Sequence, residues 1–272
     1  MNICIVGYGS IGKRHHCVLK SILRNDAIFT VIDLDTQAKI KDVCQDAFDI
    51  LVICTPTSSH LDVASKFSNI KKLIFIEKPL DASIKKIGNY RNKIDISKVH
   101  VWCNLRFTEP YEKIKKSARK ARLINVTSMS YLPCWRPKSN HLESYSANKS
   151  LGGGVILDFI HEPDYISSIF GLPDNSKQIE RKIFNGITHD TNDSALILWE
   201  YEDKLINFCF SYGSKTFKRF IEIIDDECET ERIEITREDI ETSYEKQWRY
   251  IIKNGPSNTY DQAASLQAVL QS

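Results

Sequence analysis

Gly7-Tyr8-Gly9-Ser10-Ile11-Gly12 follows five β-rich residues, Asn2 to Val6, and opens a helical stretch from Lys13 to about Leu23. No other feature restricts the chain so much. A strand, a glycine turn and a helix in succession form the first unit of a doubly wound α/β sheet, with a turn suited to a pyrophosphate. Gly7 permits the tight turn, Gly9 lets the main chain approach the phosphates, and Gly12 lets helix and strand pack. Tyr8, Ser10 and Ile11 complete the loop, and the helix start offers free N–H groups and a positive dipole end. Asp33, 21 residues after Gly12, ends the next apolar run. Its carboxylate would accept hydrogen bonds from ribose hydroxyls and repel a 2'-phosphate, and no Arg follows it, so NAD is expected in preference to NADP. The alternatives are a ligand-free glycine turn and an Asp33 that only caps a helix.

Four more apolar runs (Ile28 to Ile32, Ile50 to Cys54, Leu73 to Ile76, Val99 to Cys103) lack period-two alternation, as strands covered on both faces do. Ser59 to Phe67 and Ser83 to Arg91 have helical spacing with a leading Ser. The expected N-terminal fold is an α/β Rossmann domain, residues 1–104, with a parallel doubly wound sheet. Between Asp33 and Ile50 only a helix and a turn fit, so that sheet edge should be shortened, with no complete extra strand between Asp35 and Asp49.

Beyond Thr108-Glu109-Pro110 the pattern changes. Tyr111 to Lys120 reads as an amphipathic helix, Leu123 to Tyr131 as a strand, Leu132 to Ser150 as an irregular loop and Leu151 to Phe170 as a glycine-led helix. Gln178 to Phe184, Ser194 to Tyr201, Leu205 to Tyr212 and Arg219 to Ile224 read as strands of an open, mainly antiparallel sheet, before a last helix from about Tyr260. Residues 105–272 form an expected α+β domain for substrate binding and oligomerisation.

Composition excludes other classes. Thirty-seven Lys and Arg balance 35 Asp and Glu to a net charge of +2, too little for a nucleic-acid footprint. No run approaches the ~18 apolar residues of a membrane span. Eight Cys include no CxxC pair, and the N-terminus enters a strand without a basic leader, so a reducing cytoplasm is expected. No metal-ligand set is read from the sequence.

Candidate site residues fall at strand ends, where parallel sheets open their ligand crevice. Thr55 and Pro56 could line a cofactor; His60 either contacts it or sits at a helix start. In Glu77-Lys78-Pro79 a lysine closes the fourth strand, placed to polarise a substrate oxygen during hydride transfer. The bland alternative is a Glu–Lys pair in a loop. Asn104, Arg106, Trp135, Arg136 and Tyr145 are candidates for gripping an anionic sugar, with ordinary structural roles as the alternative.

These motifs, in order, resemble the glucose-fructose oxidoreductase, inositol dehydrogenase and MocA family of NAD(P)-dependent oxidoreductases. The resemblance runs through the glycine turn with His15, Thr55-Pro56 with His60, Glu77-Lys78-Pro79, Asn104-Leu105-Arg106-Phe107 with Pro110, and Gly152-Gly153-Gly154 leading to Asp158 and His161. It implies substrate between two domains, Lys78 in the family's lysine position, and Asp158 and His161 in its Asp/His segment. The usual His comes four residues after the Asp; here His161 comes three after and Glu162 stands at four. His161 is preferred as the acid/base because it titrates near neutrality. Pro163 should break the helix near His161. Tyr131-Leu132-Pro133, Trp135-Arg136-Pro137 and His161-Glu162-Pro163 look like a branch associated with surface-sugar biosynthesis. The implied reaction is hydride exchange between nicotinamide and a secondary alcohol or ketone of a sugar. The other readings are an NAD-dependent glycosidase and a non-catalytic dinucleotide or sugar sensor. The open sheet implies a homodimer or larger assembly.

Overall fold

The computed structural model describes residues 1–33, 43, 47–67, 69–135 and 137–272. Contacts divide the chain into two compact units, Met1–Cys103 with Ser243–Gln271, and Asn104–Thr242. The first contains a segment that a split at residue 104 would leave in the second, because the last two helices pack on the N-terminal sheet's side of the chain.

In the first unit, β1 (Asn2–Val6), β2 (Ile28–Ile32), β3 (Phe48–Ile53), β4 (Ile70–Ile76) and β5 (Val99–Val101) form a parallel sheet in the order β2-β1-β3-β4-β5. The strands are apolar because both faces are covered. Cys4, Val6, Leu51, Ile53, Ile74 and Ile76 join one core with Leu61, Ile87 and Tyr260. Phe75 meets His15, Trp102 and Trp248. The helices are α1 (Ser10–Leu23), α2 (His60–Ala64), α3 (Ile84–Tyr90), most of α7 (Arg237–Asn254) and α8 (Tyr260–Leu270). Ser83 caps α3 by accepting the Lys86 N–H, as expected, whereas Ser59 does not cap α2 with its side chain. The order reverses between β1 and β3, and such a switch point is where an open α/β sheet takes its ligand. Among the described residues β2 is the edge strand. Most of the segment expected to be shortened, 34–42 and 44–46, lies outside them.

The second unit carries β6 (Ala121–Tyr131), β7 (Asn175–Arg181), β8 (Ser194–Tyr201), β9 (Lys204–Ser211), β10 (Gly213–Asp225) and β11 (Thr230–Glu234), in the order β11-β10-β6-β9-β8-β7. All neighbours are antiparallel except β6 and β9, which run parallel. One face is buried through Ile124, Val126, Ile197, Trp199, Phe208 and Ile221. It is accompanied by α4 (Glu109–Ser117), α5 (Val155–Asp158) and α6 (His161–Phe170). The glycine-led helix starts later than expected, at Val155, because Gly152 and Gly154 take φ of 83° and 126°. Its break falls where Pro163 requires: α5 ends at Asp158, and α6 restarts at His161 with Pro163 in its first turn.

Burial of three phenols gives the fold an alkaline limit. Tyr165 and Tyr212 are pushed well above the ordinary tyrosine range by desolvation, then by the carboxylates of Glu162 and Asp158, and Tyr260 is pushed up to about 12 by desolvation, then Asp81. A raised folded value means these groups stabilise the fold fully below about pH 10, where phenols of the unfolded chain begin to ionise, and lose that contribution as pH rises through the folded values. Urea midpoints should therefore hold steady to about pH 10 and fall above it; an unchanged midpoint at higher pH would contradict the assignment.

Candidate functional site

The glycine turn joins β1 to α1 in the geometry its spacing requires. Gly7 sits at φ 91°, and a Cβ there would lie 2.6 Å from the Cys54 carbonyl carbon and oxygen. At Gly12 a Cβ would lie 2.0 Å from the Gly7 carbonyl oxygen. Gly9 is different: a Cβ would find no neighbouring atom within 4 Å among the described residues. Among the described residues the main chain at Gly9 is thus open, and α1 starts with no side-chain cap and no acidic residue in its first turn. Ser10 and Ile11 begin that helix. The Tyr8 hydroxyl lies 2.6 Å from His16 Nδ1, and the Tyr8 amide donates to Asp33 Oδ1 at 3.2 Å, tying the loop to the end of β2.

A cavity of about 420 Å³ opens at the switch point, lined by Gly7, Asp33 and Thr55 together with Asp62, Lys66 and Tyr90. The Thr55 hydroxyl is buried without a hydrogen-bond partner among the described residues. An orphaned hydroxyl, a carboxylate and an uncapped helix start beside one cavity fit a dinucleotide, whose ribose and phosphate groups need such partners. The Pro56 carbonyl accepts from the Ser59 amide and hydroxyl.

His60 serves the fold instead. It is 1% exposed, with Nδ1 2.9 Å from the Pro79 carbonyl and Nε2 2.9 Å from the Thr55 carbonyl. Desolvation holds it below the ordinary histidine value against the pull of those two carbonyls. The ring ties the end of β3 to the segment after β4. The Cys54 thiol is raised well above its usual value by burial and then by Glu77.

Glu77, Lys78 and Pro79 leave β4, joined by a cis Lys78–Pro79 peptide. Glu77 Oε1 lies 2.6 Å from His15 Nε2, and Oε2 accepts the Lys78 amide at 3.2 Å. Lys78 is half-buried. The segment is also held from α8: Gln267 Oε1 accepts the Leu80 amide at 2.8 Å, and its Nε2 donates to the Asp81 carbonyl at 2.7 Å.

In the second unit, Asp158 is 4% exposed and accepts the Tyr212 hydroxyl at 2.6 Å. Around Tyr212 stand Trp135 and Phe159, with ring centroids 5.5 and 5.8 Å away. Trp135 donates to the Ser130 hydroxyl and keeps part of its ring exposed. Tyr145 is half-buried and near enough to help raise the Tyr212 phenol, and Gly153 packs against it so closely that a Cβ would lie 2.0 Å from the Tyr145 carbonyl oxygen. His161 is half-buried at the start of α6.

Other expected ligand residues spend their charge inside the fold. Glu162 is fully buried and paired with Arg219 at 2.7 Å, so it is removed from solvent while its neighbour His161 is not. Arg106 grips Asp164 through Nε and Nη2, both at 2.8 Å. Asn104 is 2% exposed. Arg136 lies outside the described residues.

Comparison with known proteins bears on the first 104 residues. Residues 1–104 match the profile described as an oxidoreductase family with an NAD-binding Rossmann fold. Over these residues the chain is similar to the Gfo/Idh/MocA oxidoreductases. A myo-inositol 2-dehydrogenase of Thermotoga maritima is 24% identical over 230 residues, 73% of this chain and 64% of the relative. The match thus spans less than two thirds of that relative's length. Two solved structures share the fold. A myo-inositol dehydrogenase from Corynebacterium glutamicum has TM-score 0.78 at 17% identity, covering 100% of this chain and 96% of that one. The WlbA dehydrogenase from Bordetella pertussis, in complex with NADH and UDP-GlcNAcA, has TM-score 0.78 at 13% identity, covering 100% and 94%.

Sequence reasoning missed Tyr212, Gln267 and Trp248. Trp248 had a signal: Tyr244, Trp248 and Ile251 follow an i, i+4, i+7 pattern on α7 and are all buried. Tyr212 and Gln267 had none, since each acts on a partner more than 50 residues away.

Proposed function

We propose that the chain is an NAD-dependent oxidoreductase acting on a secondary alcohol or ketone of a sugar or polyol. The observation that carries this reading is the cavity at the β1/β3 switch point, where Asp33 and the Thr55 hydroxyl, without a partner among the described residues, stand beside the glycine turn. Gly7, Gly9 and Gly12 would admit the dinucleotide's pyrophosphate, and Asp33 would receive ribose hydroxyls. Bound there, NAD supplies the hydride acceptor or donor.

The remaining chemistry belongs to side chains. Lys78 would donate to the reacting oxygen, stabilising negative charge as the C–H bond breaks or forms. His161 would take the hydroxyl proton in oxidation and return it in reduction, a role favoured over Glu162 by the burial of the latter against Arg219. Asp158, held by Tyr212, would orient His161 or a neighbouring hydroxyl. Trp135 and Tyr145 are the aromatic surfaces on which a sugar ring would stack.

We assign the substrate to the sugars of surface-polysaccharide biosynthesis on the Tyr131 to Tyr165 pattern; WlbA, a neighbour of the same fold, was solved with UDP-GlcNAcA. A cytoplasmic location is supported by the free thiols at Cys4, Cys17, Cys54, Cys103, Cys134, Cys209 and Cys228. Among the described residues no helix is long and apolar enough to cross a membrane. Self-association is supported by the open face of the second sheet, where Ile179, Leu196 and Leu205 are 59%, 50% and 44% exposed.

Calorimetric titration with NAD and NADP, followed by a screen of polyols and nucleotide-linked sugars for NADH formation, tests the reading. Binding of NAD in preference to NADP, with turnover of one candidate, is expected. Binding without turnover of any would favour a sensor, release of an aglycone without net NADH would favour a glycosidase, and no binding would overturn the redox reading.

A further inference from the structure

His15 is fully buried in the first unit, ringed by Phe75, Trp102, Tyr244 and Trp248 at centroid distances of 4.9, 4.7, 5.5 and 5.7 Å. Within this apolar cage both ring nitrogens have partners. The Trp248 indole N–H donates to Nδ1 at 2.9 Å, and Nε2 lies 2.6 Å from Glu77 Oε1. An indole N–H can only donate, so Nδ1 must present its lone pair and the ring proton must sit on Nε2. That proton is donated to the Glu77 carboxylate, whose other oxygen receives the Lys78 amide at 3.2 Å. A one-way chain of donors therefore runs from α7 through α1 to the end of β4.

We propose that Trp248 and His15 are positioning residues for the Glu77-Lys78-Pro79 segment, the indole fixing the imidazole tautomer that holds the Glu77 carboxylate against the Lys78 main chain. The assignment of a catalytic purpose rests on the oxidoreductase reading; the tautomer and the hydrogen-bond chain do not. Burying this polar chain among aromatic rings is costly, and an apolar replacement of equal shape would serve packing as well or better. What an apolar core would not do is dictate the direction of the Glu77 carboxylate. Trp248, 233 positions beyond His15, occupies its Nδ1, so α7 is part of the site's construction rather than a cover for the sheet.

The two roles separate under conservative substitution. Trp248→Phe retains a ring to stack on Phe75, now 4.5 Å from the indole, but removes the donor. His15→Gln retains one acceptor and one donor, whereas His15→Leu retains neither. In nitrogen-15 NMR the wild-type His15 ring should show one protonated nitrogen, Nε2, and in Trp248→Phe, where the indole no longer donates to Nδ1 while Glu77 still accepts from Nε2, the ring should no longer be held in that single protonation state. Exchange of the Lys78 amide should quicken about tenfold in Trp248→Phe and His15→Leu, the equivalent of one hydrogen bond to a charged acceptor, and stay near wild type in His15→Gln. The neighbouring Ile76 amide, which belongs to the sheet, should not follow.

Unchanged His15 tautomer and Lys78 exchange in Trp248→Phe, or His15→Leu behaving like His15→Gln, would overturn the proposal. On a substrate identified by the screen above, Trp248→Phe should lower kcat by ~10–100-fold with KM for NAD little altered, the mark of a misplaced reacting group. Exchange that changes with no turnover in any variant would retain the positioning chain and remove only the oxidoreductase reading.

Discussion

Lys78→Met is expected to lower turnover by ~10²–10⁴-fold while the protein stays folded and still binds NAD. Methionine keeps the apolar stem that half-buries this position and removes only the ammonium. The backbone restraints on the segment do not involve the side chain: the Lys78 amide lies on Glu77 Oε2, Gln267 spans Leu80 and Asp81, and His60 holds the Pro79 carbonyl. Loss of activity without loss of structure should therefore appear as a fall in kcat at nearly constant Kd for NAD. Full turnover by Lys78→Met on the true substrate would remove Lys78 from the chemistry. Lys78→Arg is the companion variant. It preserves charge but replaces a compact ammonium by a planar fork, so restored charge without restored rate would show that geometry matters as well as charge.

The second large effect separates two glycines three residues apart. Gly12→Ala would drive a Cβ to 2.0 Å from the Gly7 carbonyl oxygen, a collision with main chain that no rotamer relieves. Its cost should exceed about 3 kcal/mol, enough to unfold much of the first unit or force α1 away from β1. Gly9→Ala meets nothing within 4 Å among the described residues and has φ of −69°, so the fold should tolerate it within about 1 kcal/mol. The added methyl would instead stand in the space left for a dinucleotide, and affinity for NAD should drop by tenfold or more, on the order of 1.4 kcal/mol. Urea denaturation and calorimetry of the pair distinguish the roles. Equal stability loss in both variants would mean that the turn is simply packed; undiminished NAD affinity in Gly9→Ala would mean that the phosphates lie elsewhere.

The first half of the chain was legible because its signals are local. A buried parallel strand must be apolar throughout, and a turn that demands positive φ or close approach must carry glycine, so β1, the glycine turn and α1 can be read within about 20 residues. The Pro163 break was legible for the same reason, since a proline ring acts on the carbonyl four residues before it. The second sheet was less so. β11 presents Thr-Glu-Arg-Ile-Glu, with only Ile233 buried, and is a strand because β10 pairs with it. The parallel β6–β9 pair joins strands far apart in sequence, and turn chemistry is silent on such pairing.

For the site, residue type showed which groups are present but not which partners they meet. His60, Arg106 and Glu162 carry the right groups for ligand contact, yet two carbonyls, Asp164 and Arg219 respectively engage them. A sequence shows that a charge or a ring is present; whether a partner inside the fold already satisfies it depends on residues brought from elsewhere.

The order of residues alone therefore determined the strand–glycine–helix start, the end of the second strand at Asp33 and the break before Pro163, each governed by sterics or electrostatics over a few covalent neighbours. Only the tertiary structure decided that Tyr212 grips Asp158, that Glu162 is buried against Arg219, and that the Trp248 indole and the Glu77 carboxylate meet opposite nitrogens of His15. Those outcomes are hydrogen bonds and ion pairs between distant segments, and their direction follows from which donor meets which acceptor after burial has excluded water.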